Sequence, residues 1–383
     1  MHEFIDRLRP NDRVLLVGDT RQHEAVEAGR PFAQLQEAGM RTAKLDEIVR
    51  QRDPELKQAV EQLARGEFGA AVESLGKQGR VHEVKGHEER ISAIAREYSK
   101  SPEGTLVVSP DNRSRTEINQ RIHDELQTRG VVSGEGHSFQ TLVPRQEMTG
   151  ADRGWAQQYQ VDDILRYSRS SRETGIDKGE YSRVVSVNAE ENKLTVLRSS
   201  GEQTTYDPRR QMGVSVYREQ EKVFSAGDRV QFTAPSQDLK VANRELGTIE
   251  SITHGGAMRL RLDNDRSMSF DPRRHPHLDH GYSVTSYSSQ GQTADRVLIN
   301  VDTELGAKDL LNNRMAYVSV SRGQWDAQIF TNDRGKLSQV LGHDVSHQSA
   351  LRSEQVVAPV QTPNQGEMHD QARGLGMGMG LGL

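Results

Sequence analysis

The nine residues Thr285-Ser286-Tyr287-Ser288-Ser289-Gln290-Gly291-Gln292-Thr293 pack hydroxyls, amides and one aromatic ring into a single polar stretch. Groups of this kind can donate hydrogen bonds to phosphodiester oxygens, while Tyr287 offers a π-face on which a base can stack. A polar turn satisfied by its own side chains is the plainer reading of the same residues. Further on, Arg322 closes the run Tyr317-Val318-Ser319-Val320-Ser321, which reads as an apolar strand. A guanidinium at a strand end can reach across a cleft and stabilise charge on a transferring phosphoryl group; a solvated arginine is the commoner outcome at such a position. Ile48-Val49-Arg50-Gln51 sets a guanidinium beside an amide ahead of a helix-like stretch, and the bidentate donors of Arg50 suit a phosphate. Gly18-Asp19-Thr20-Arg21-Gln22 places the Asp19 carboxylate and the Gln22 amide just after an apolar run, where a phosphate or its attacking water can be sensed. Viewed alone, it is a structural turn.

The elements that must position these groups alternate. Val14-Leu15-Leu16-Val17 reads as a buried parallel strand, Pro54 to Ala64 as a helix, Thr105 to Ser109 as a strand and Arg113 to Gln127 as a polar helix. This is α/β organisation, in which the polar ends of buried strands collect ligands. From residue 161 the pattern changes to short alternating segments punctuated by Gly, Asn and Asp, as in small antiparallel sheets. Within them Tyr206-Asp207-Pro208-Arg209-Arg210 recurs as Phe270-Asp271-Pro272-Arg273-Arg274, which predicts two similar small barrels, one holding Tyr181 to Val196 and the other Asp228 to Leu262. Strand Val297 to Val301 then restores the α/β pattern, so the β region is an insertion. Apolar periodicity fades from about residue 345, and the Gly-rich end is expected to be disordered.

Composition narrows the class. A chain of 383 residues with 33% hydrophobic and 27% charged residues is long enough for two or three domains, and no apolar stretch reaches membrane-spanning length. The lack of cysteine excludes a disulfide framework and any thiolate metal site, and the N-terminus lacks the apolar core of a secretory signal, so a cytoplasmic location is expected. A net charge of −5 supplies no global attraction to nucleic acid, so binding would rest on a local surface.

Taken in order, the segments resemble motifs III, IV, V and VI of superfamily 1 helicases, in particular the RecD-like (1B) branch found in conjugative relaxases of the TraI/TrwC type. Gly18 to Gln22 matches motif III, Val49-Arg50-Gln51 motif IV, Thr285 to Thr293 motif V and Tyr317 to Arg322 motif VI. Gly227-Asp228-Arg229-Val230-Gln231-Phe232 with Asn243 to Ile249 looks like the SH3-like insertion of that branch. The resemblance implies an α/β fold: a RecA-like parallel-sheet domain with an inserted small β (SH3-like) region, plus a remnant of a first RecA-like domain. The implied domains are 1–46 (the remnant, with motif III), 47–160 and 276–345 (two parts of the second RecA-like domain), 161–275 (the insertion, with two SH3-like units) and 346–383 (tail).

It further implies a portion of an ATP-dependent DNA helicase moving 5′ to 3′ on single-stranded DNA. Gln22, Arg50 and Arg322 would be catalytic, sensing the γ-phosphate. Asp19, Gln51 and Gly291 would join them around the nucleotide, and Thr285, Ser286, Tyr287, Gln290 and Thr293 would contact DNA. One departure is plain. Where many members carry a basic residue or histidine in motif V, this chain has Tyr287-Ser288, so contact there would rest on stacking.

Phosphoryl transfer also needs a Gly-rich loop with Lys and a carboxylate pair for Mg²⁺. No Gly-x-x-x-x-Gly-Lys-Ser/Thr occurs; Lys77 and Lys336 follow Gly but precede Gln and Leu, and Asp46-Glu47 and Asp124-Glu125 lie in polar, helix-like surroundings. ATP and Mg²⁺ are therefore expected only in a complete protein, with the Mg²⁺ ligands outside this chain and a missing N-terminal helicase/relaxase segment as partner. The fragment alone would not turn over ATP, and its first forty residues would be its least stable ordered part. The alternative is a non-catalytic DNA-binding or protein-interaction module.

Overall fold

The computed structural model describes residues 6–9, 11–22, 31–43, 48–145, 148, 150–304 and 308–345. Asp46-Glu47 and the Gly-rich tail lie outside them. The chain divides into two compact units, one of residues 1–20, 24–47 and 346–383, the other of 21–23 and 48–345.

In the first unit, helix α1 (Pro31–Glu37) is the regular element among the described residues. Gly18 lies so close to the Phe32 ring that a Cβ there would meet it at 3.2 Å. Val14 to Val17 is not the expected buried strand: it takes no regular structure, and Leu15 and Val17 are 87% and 88% exposed. An apolar run becomes a parallel strand only where neighbours accept its backbone hydrogen bonds, and among the described residues it has no strand partner.

The second unit opens with helices α2 (Pro54–Ala64) and α3 (Phe68–Lys77), strand β1 (Val81–Glu83), helix α4 (His87–Lys100), strand β2 (Thr105–Ser109) and helix α5 (Asn112–Thr128). Asp53 caps α2, its carboxylate accepting from Leu56 N with Pro54 in the first turn; Asp111 caps α5 from Ser114 N. The chain then leaves for two antiparallel sheets, described below, and returns through β14 (Ser283–Thr285), the short helix α6 (Ser286–Ser289), β15 (Ala294–Val301), helix α7 (Asn313–Val320), β16 (Gly323–Thr331) and helix α8 (Arg334–Leu341).

The strands order as β1-β16-β15-β2-β14 in a wholly parallel sheet. Alternate strand residues feed two cores. Val108, Val297, Ile299 and Ile329 pack with Leu56, Val60, Leu75 and Met315 on one face, while Val107, Leu298 and Phe330 pack with Ile94, Ile118 and Ile122 on the other. Both faces are buried, which is why these strands read as unbroken apolar runs.

The insertion is a duplicated sheet. Its strands are β3 (His137–Pro144), β4 (Ile164–Tyr167), β5 (Tyr181–Asn188), β6 (Lys193–Arg198), β7 (Gln203–Tyr206) and β8 (Val214–Phe224), then β9 (Arg229–Phe232), β10 (Leu246–Ile252), β11 (Met258–Leu262), β12 (Ser267–Phe270) and β13 (Leu278–His280). The first copy runs β7-β6-β5-β4-β8 and the second β12-β11-β10-β9-β13. The match reaches individual atoms. Asp163 accepts from Gln160 N as Asp228 accepts from Ser225 N, and Val184 N bonds Asp163 O as Ile249 N bonds Asp228 O. Asp207 and Asp271 each turn the backbone by accepting from the N–H two residues on. Antiparallel pairing begins at His137, before residue 161, because β8 is long enough for its second half to need a partner, and β3 supplies it.

A second sequence reading is corrected. Tyr317 to Val320 is helix, not strand. Asn312 caps α7 by accepting from Met315 N, and Met315, Ala316, Val318 and Val320 are all buried. A short helix covered on most sides shows no 3.6-residue stripe, and Val-Ser-Val-Ser mimics a strand's alternation.

Candidate functional site

Four segments far apart in sequence meet through side-chain contacts in the second unit. At the end of α7 the Ser321 carbonyl accepts from Arg50 Nη1 at 2.9 Å and from Gln51 Nε2 at 3.0 Å, and the same Gln51 amide reaches Gly323 O at 2.8 Å. Gln51 is buried. Arg322 leaves the helix end and folds back: Nε donates to Val318 O at 2.9 Å, Nη1 to Gln292 O at 3.2 Å and Nη2 to Ser321 Oγ at 3.0 Å. At 2% exposure it is among the largest fully buried side chains. Three oxygens of its own domain thus hold the guanidinium, and reaching a bound phosphate would mean releasing some of them. This differs from the solvated strand-end arginine of the plainer sequence reading.

Thr285, at the end of β14, caps α6, its Oγ1 accepting from Ser288 N at 3.3 Å and donating to Ser288 Oγ at 3.1 Å. The cap turns Ser286 and Ser289 inward and leaves Tyr287 43% exposed, with Gln290 and Thr293 also on the surface. Gly291 holds a left-handed φ of 87°, which a residue with a Cβ adopts only with strain, and this reverses the chain into β15. Gln290 Nε2 donates to Gln22 Oε1 at 3.0 Å, and the Arg21 guanidinium lies over the Tyr317 ring at 5.6 Å. Of the residues singled out in the sequence, Gln22, Arg50, Gln51, Gln290 and Arg322 are therefore linked directly or through Ser321 and Gln292. Thr285, Ser286, Tyr287, Gly291 and Thr293 sit on the loop that carries two of these links. Asp19, half-buried, belongs to the other unit.

The arrangement depends on residues the sequence reading passed over. On α5, Arg115, Asn119 and His123 recur every fourth position, one polar stripe beside the apolar Ile118 and Ile122. Arg115 pairs with Asp279 at 3.0 Å, and Lys222 shares that carboxylate. Asn119 Nδ2 donates to His280 O at 3.1 Å, and its Oδ1 accepts from Ser283 N at 2.6 Å, fixing the start of β14. His123 Nδ1 lies 2.7 Å from Asp228 Oδ1, which also accepts from the Tyr282 hydroxyl. Burial alone would raise the Asp228 carboxyl, but the His123 and His280 imidazoles hold it well below the usual carboxylate range. His123 is raised, chiefly by its hydrogen bond to Asp228. The donor atoms of His123, Asp228 and His280 lie within 4.8 Å of one another, as metal ligands can. Asp228 nevertheless already accepts from His123, Tyr282 and Ser225 N, and the geometry is that of a hydrogen-bonded lock between α5 and the second small sheet. Polar residues spaced by four among apolar ones were the available signal; what they face is set by the insertion.

Fold and site define a three-layer parallel α/β protein with a duplicated antiparallel insertion, whose polar loops converge at the ends of α6 and α7. Comparison with known proteins gives the relationship. Residues 1–86 match a family profile described as an AAA domain. The multifunctional conjugation protein TraI of Escherichia coli is 22% identical over 88% of this chain, and the conjugal transfer protein TraA of Agrobacterium fabrum is 22% identical over 92%. The chain is homologous to these TraI and TraA conjugation proteins, and it spans 21% and 25% of their respective lengths. Among solved structures it is similar to Pif1 helicases. One, from work on DNA unwinding at forked duplexes, has 13% identity, covers 75% of this chain and 48% of that one, and gives a TM-score of 0.37; the Candida albicans protein has 13% identity, covers 76% and 56%, and gives 0.29. Among the described residues no helix is long and apolar enough to cross a membrane.

Proposed function

We propose that this chain is the strand-coupling portion of an ATP-dependent DNA helicase of the conjugative relaxase kind, acting on single-stranded DNA in the cytoplasm with 5′ to 3′ polarity. One observation carries the reading. In the loop of Thr285 to Thr293, Gln290 bonds Gln22, and Gln292, two residues on, accepts from Arg322. A group contacting DNA is thus tied to groups of the type that sense phosphate, which coupling of nucleotide state to strand movement requires.

In this reading 276–345, with 47–160, form one RecA-like domain, and the duplicated sheets are two SH3-like units inserted in it. ATP, when bound, supplies the cleavable γ-phosphate. Gln22, Arg50 and Arg322 would hold that phosphate, with Gln51 and Gly291 shaping its surroundings. Two of the three are guanidiniums, which suit phosphate oxygens, and both already share Ser321 as a partner. Arg50 stays partly exposed, able to exchange the Ser321 carbonyl for a phosphate oxygen without exposing a buried core. Tyr287 stacks a base, while Thr285, Gln290 and Thr293 hold the backbone by hydrogen bonds; Ser286, expected among them, is turned inward and buried.

These 383 residues hold no Gly-Lys phosphate loop, so turnover requires one supplied by another segment, together with the Mg²⁺ ligands. The test is ATP hydrolysis stimulated by single-stranded DNA. It is expected to be absent from this chain and present once a TraI-type nucleotide-binding segment is joined to it. Turnover by the chain alone would overturn the requirement, and failure to bind any single-stranded oligonucleotide would overturn the reading as a whole.

A further inference from the structure

The duplication exposes a substitution that the fold does not ask for. Each small sheet carries a tongue between its first two strands, pinned by a bridge, Ser171 to Ile176 in the first copy and Ser236 to Val241 in the second. At its base Glu180 accepts from Asp177 N, as Glu245 accepts from Ala242 N. Gly179 N then bonds Tyr167 O, and Arg244 N bonds Phe232 O at the matching place. Both positions are left-handed, with φ of 89° at Gly179 and 71° at Arg244. Glycine takes that conformation freely, whereas a side chain with a Cβ is strained in it. The first copy therefore has the residue the backbone prefers and the second has an arginine. Strain kept at one of two otherwise matching positions marks a side chain held for what it does.

What the side chain reaches is specific. Arg244 is exposed, and its Nη1 donates to the carbonyl of Tyr287 at 3.3 Å, on the helix that presents the aromatic ring and Gln290 to solvent. A guanidinium has five donors in a planar fork, and this contact engages one of them. The tongue thus adds a fixed cation to a surface holding an aromatic ring and hydroxyl and amide donors. It is also the surface whose motif carries no basic residue of its own, from Thr285 to Thr293.

We propose that Arg244 is a phosphate-contacting residue for single-stranded DNA, supplied to the Thr285–Thr293 loop by the second small sheet. This deepens, and rests on, the reading of that loop as a DNA contact. The guanidinium grips a phosphodiester while Tyr287 stacks the neighbouring base, so one nucleotide is held by its charge and its ring at once.

The test uses the full chain, a fluorescein-labelled twenty-nucleotide oligo(dT), anisotropy over a series of KCl concentrations, and thermal melts. Arg244→Gly restores the residue the first copy has, so its melting temperature should equal or exceed wild type. Its affinity should nonetheless fall roughly 3- to 10-fold, with the slope of log affinity against log salt shallower by about 0.7, the value for one phosphate on a single strand. Arg244→Lys should recover part of both. Wild-type affinity in Arg244→Gly overturns the assignment of Arg244 while leaving the loop's reading intact. Absence of binding in the wild-type chain overturns that reading and this inference together. A lowered melting temperature with equal loss of binding in both variants makes Arg244 a structural residue and overturns the inference.

Discussion

Gln51 and Ser321 stand 270 positions apart and are joined by a buried 3.0 Å hydrogen bond from the Gln51 amide to the Ser321 carbonyl, with Gly323 O sharing the same nitrogen at 2.8 Å. One side chain thus closes the end of α7 onto the segment that enters α2. Gln51→Ala leaves two buried carbonyls without that donor, a loss of about 1–3 kcal/mol. Equilibrium denaturation should show it, whereas Val49→Ala, at a 76% exposed neighbour, should stay within about 0.5 kcal/mol of wild type. Equal effects would remove Gln51 from the frame of the site.

Two histidines give stability opposite slopes with pH. His123 is raised above its ordinary 6.5 by Asp228, so its contribution is complete below 6.5 and is lost as pH rises through the higher folded value. Burial holds His277 down to about 4, so an unfolded chain takes up a proton between 6.5 and 4 that the folded chain refuses. That contribution is complete above 6.5 and declines on acidification. In denaturation series across this range, His123→Gln should flatten the alkaline fall and His277→Gln the acid one. Unchanged slopes in both would contradict the assignment.

Arg322 is the sharpest test of the phosphate reading, because its burial makes a structural role the rival account. In a protein carrying the nucleotide-binding segment, Arg322→Ala should abolish DNA-stimulated ATP turnover and leave single-strand affinity nearly intact. Arg322→Lys keeps the charge and much of the bulk but loses the fork that spans Val318 O, Gln292 O and Ser321 Oγ. It should therefore also lose turnover while melting closer to wild type. Parallel loss of turnover and DNA binding in both variants would assign the arginine to the fold.

Asn119 fixes the strand that leads into the Thr285 loop. Asn119→Ala removes the partners of His280 O and Ser283 N. Amide hydrogen exchange should quicken from 283 to 290 while β2 and β15 stay protected. Uniform quickening across the sheet would mean the residue supports the whole unit and not this loop.

How much of this was legible in sequence differs by residue. The parallel sheet was readable because strands such as Thr105 to Ser109 and Val297 to Val301 are buried on both faces and so unbroken in apolarity. The insertion announced itself through the repeated Asp-Pro-Arg-Arg, whose aspartates are needed at equivalent turns. Val14 to Val17 misled because apolarity says what would be buried in a sheet, not whether partner strands are present. Tyr317 to Arg322 misled because a short, well-covered helix has no polar side to reveal its period. The polar stripe of α5 went unread because Arg115, Asn119 and His123 meet partners more than a hundred positions away. Arg244 went unread because strain is a property of a dihedral angle, and only the matching Gly179 shows what the backbone would have preferred.

The repeated sheet has one more consequence. The carboxylate that begins each copy is wired differently: Asp163 meets Arg145 at 2.6 Å, whereas Asp228 meets His123. Arginine keeps its proton across the biological range and histidine does not. The protein therefore carries its own reference experiment. Any solvent or pH change that loosens the second copy and spares the first can be read as a difference between two near-twins in one molecule, with temperature, crowding and chain length already matched.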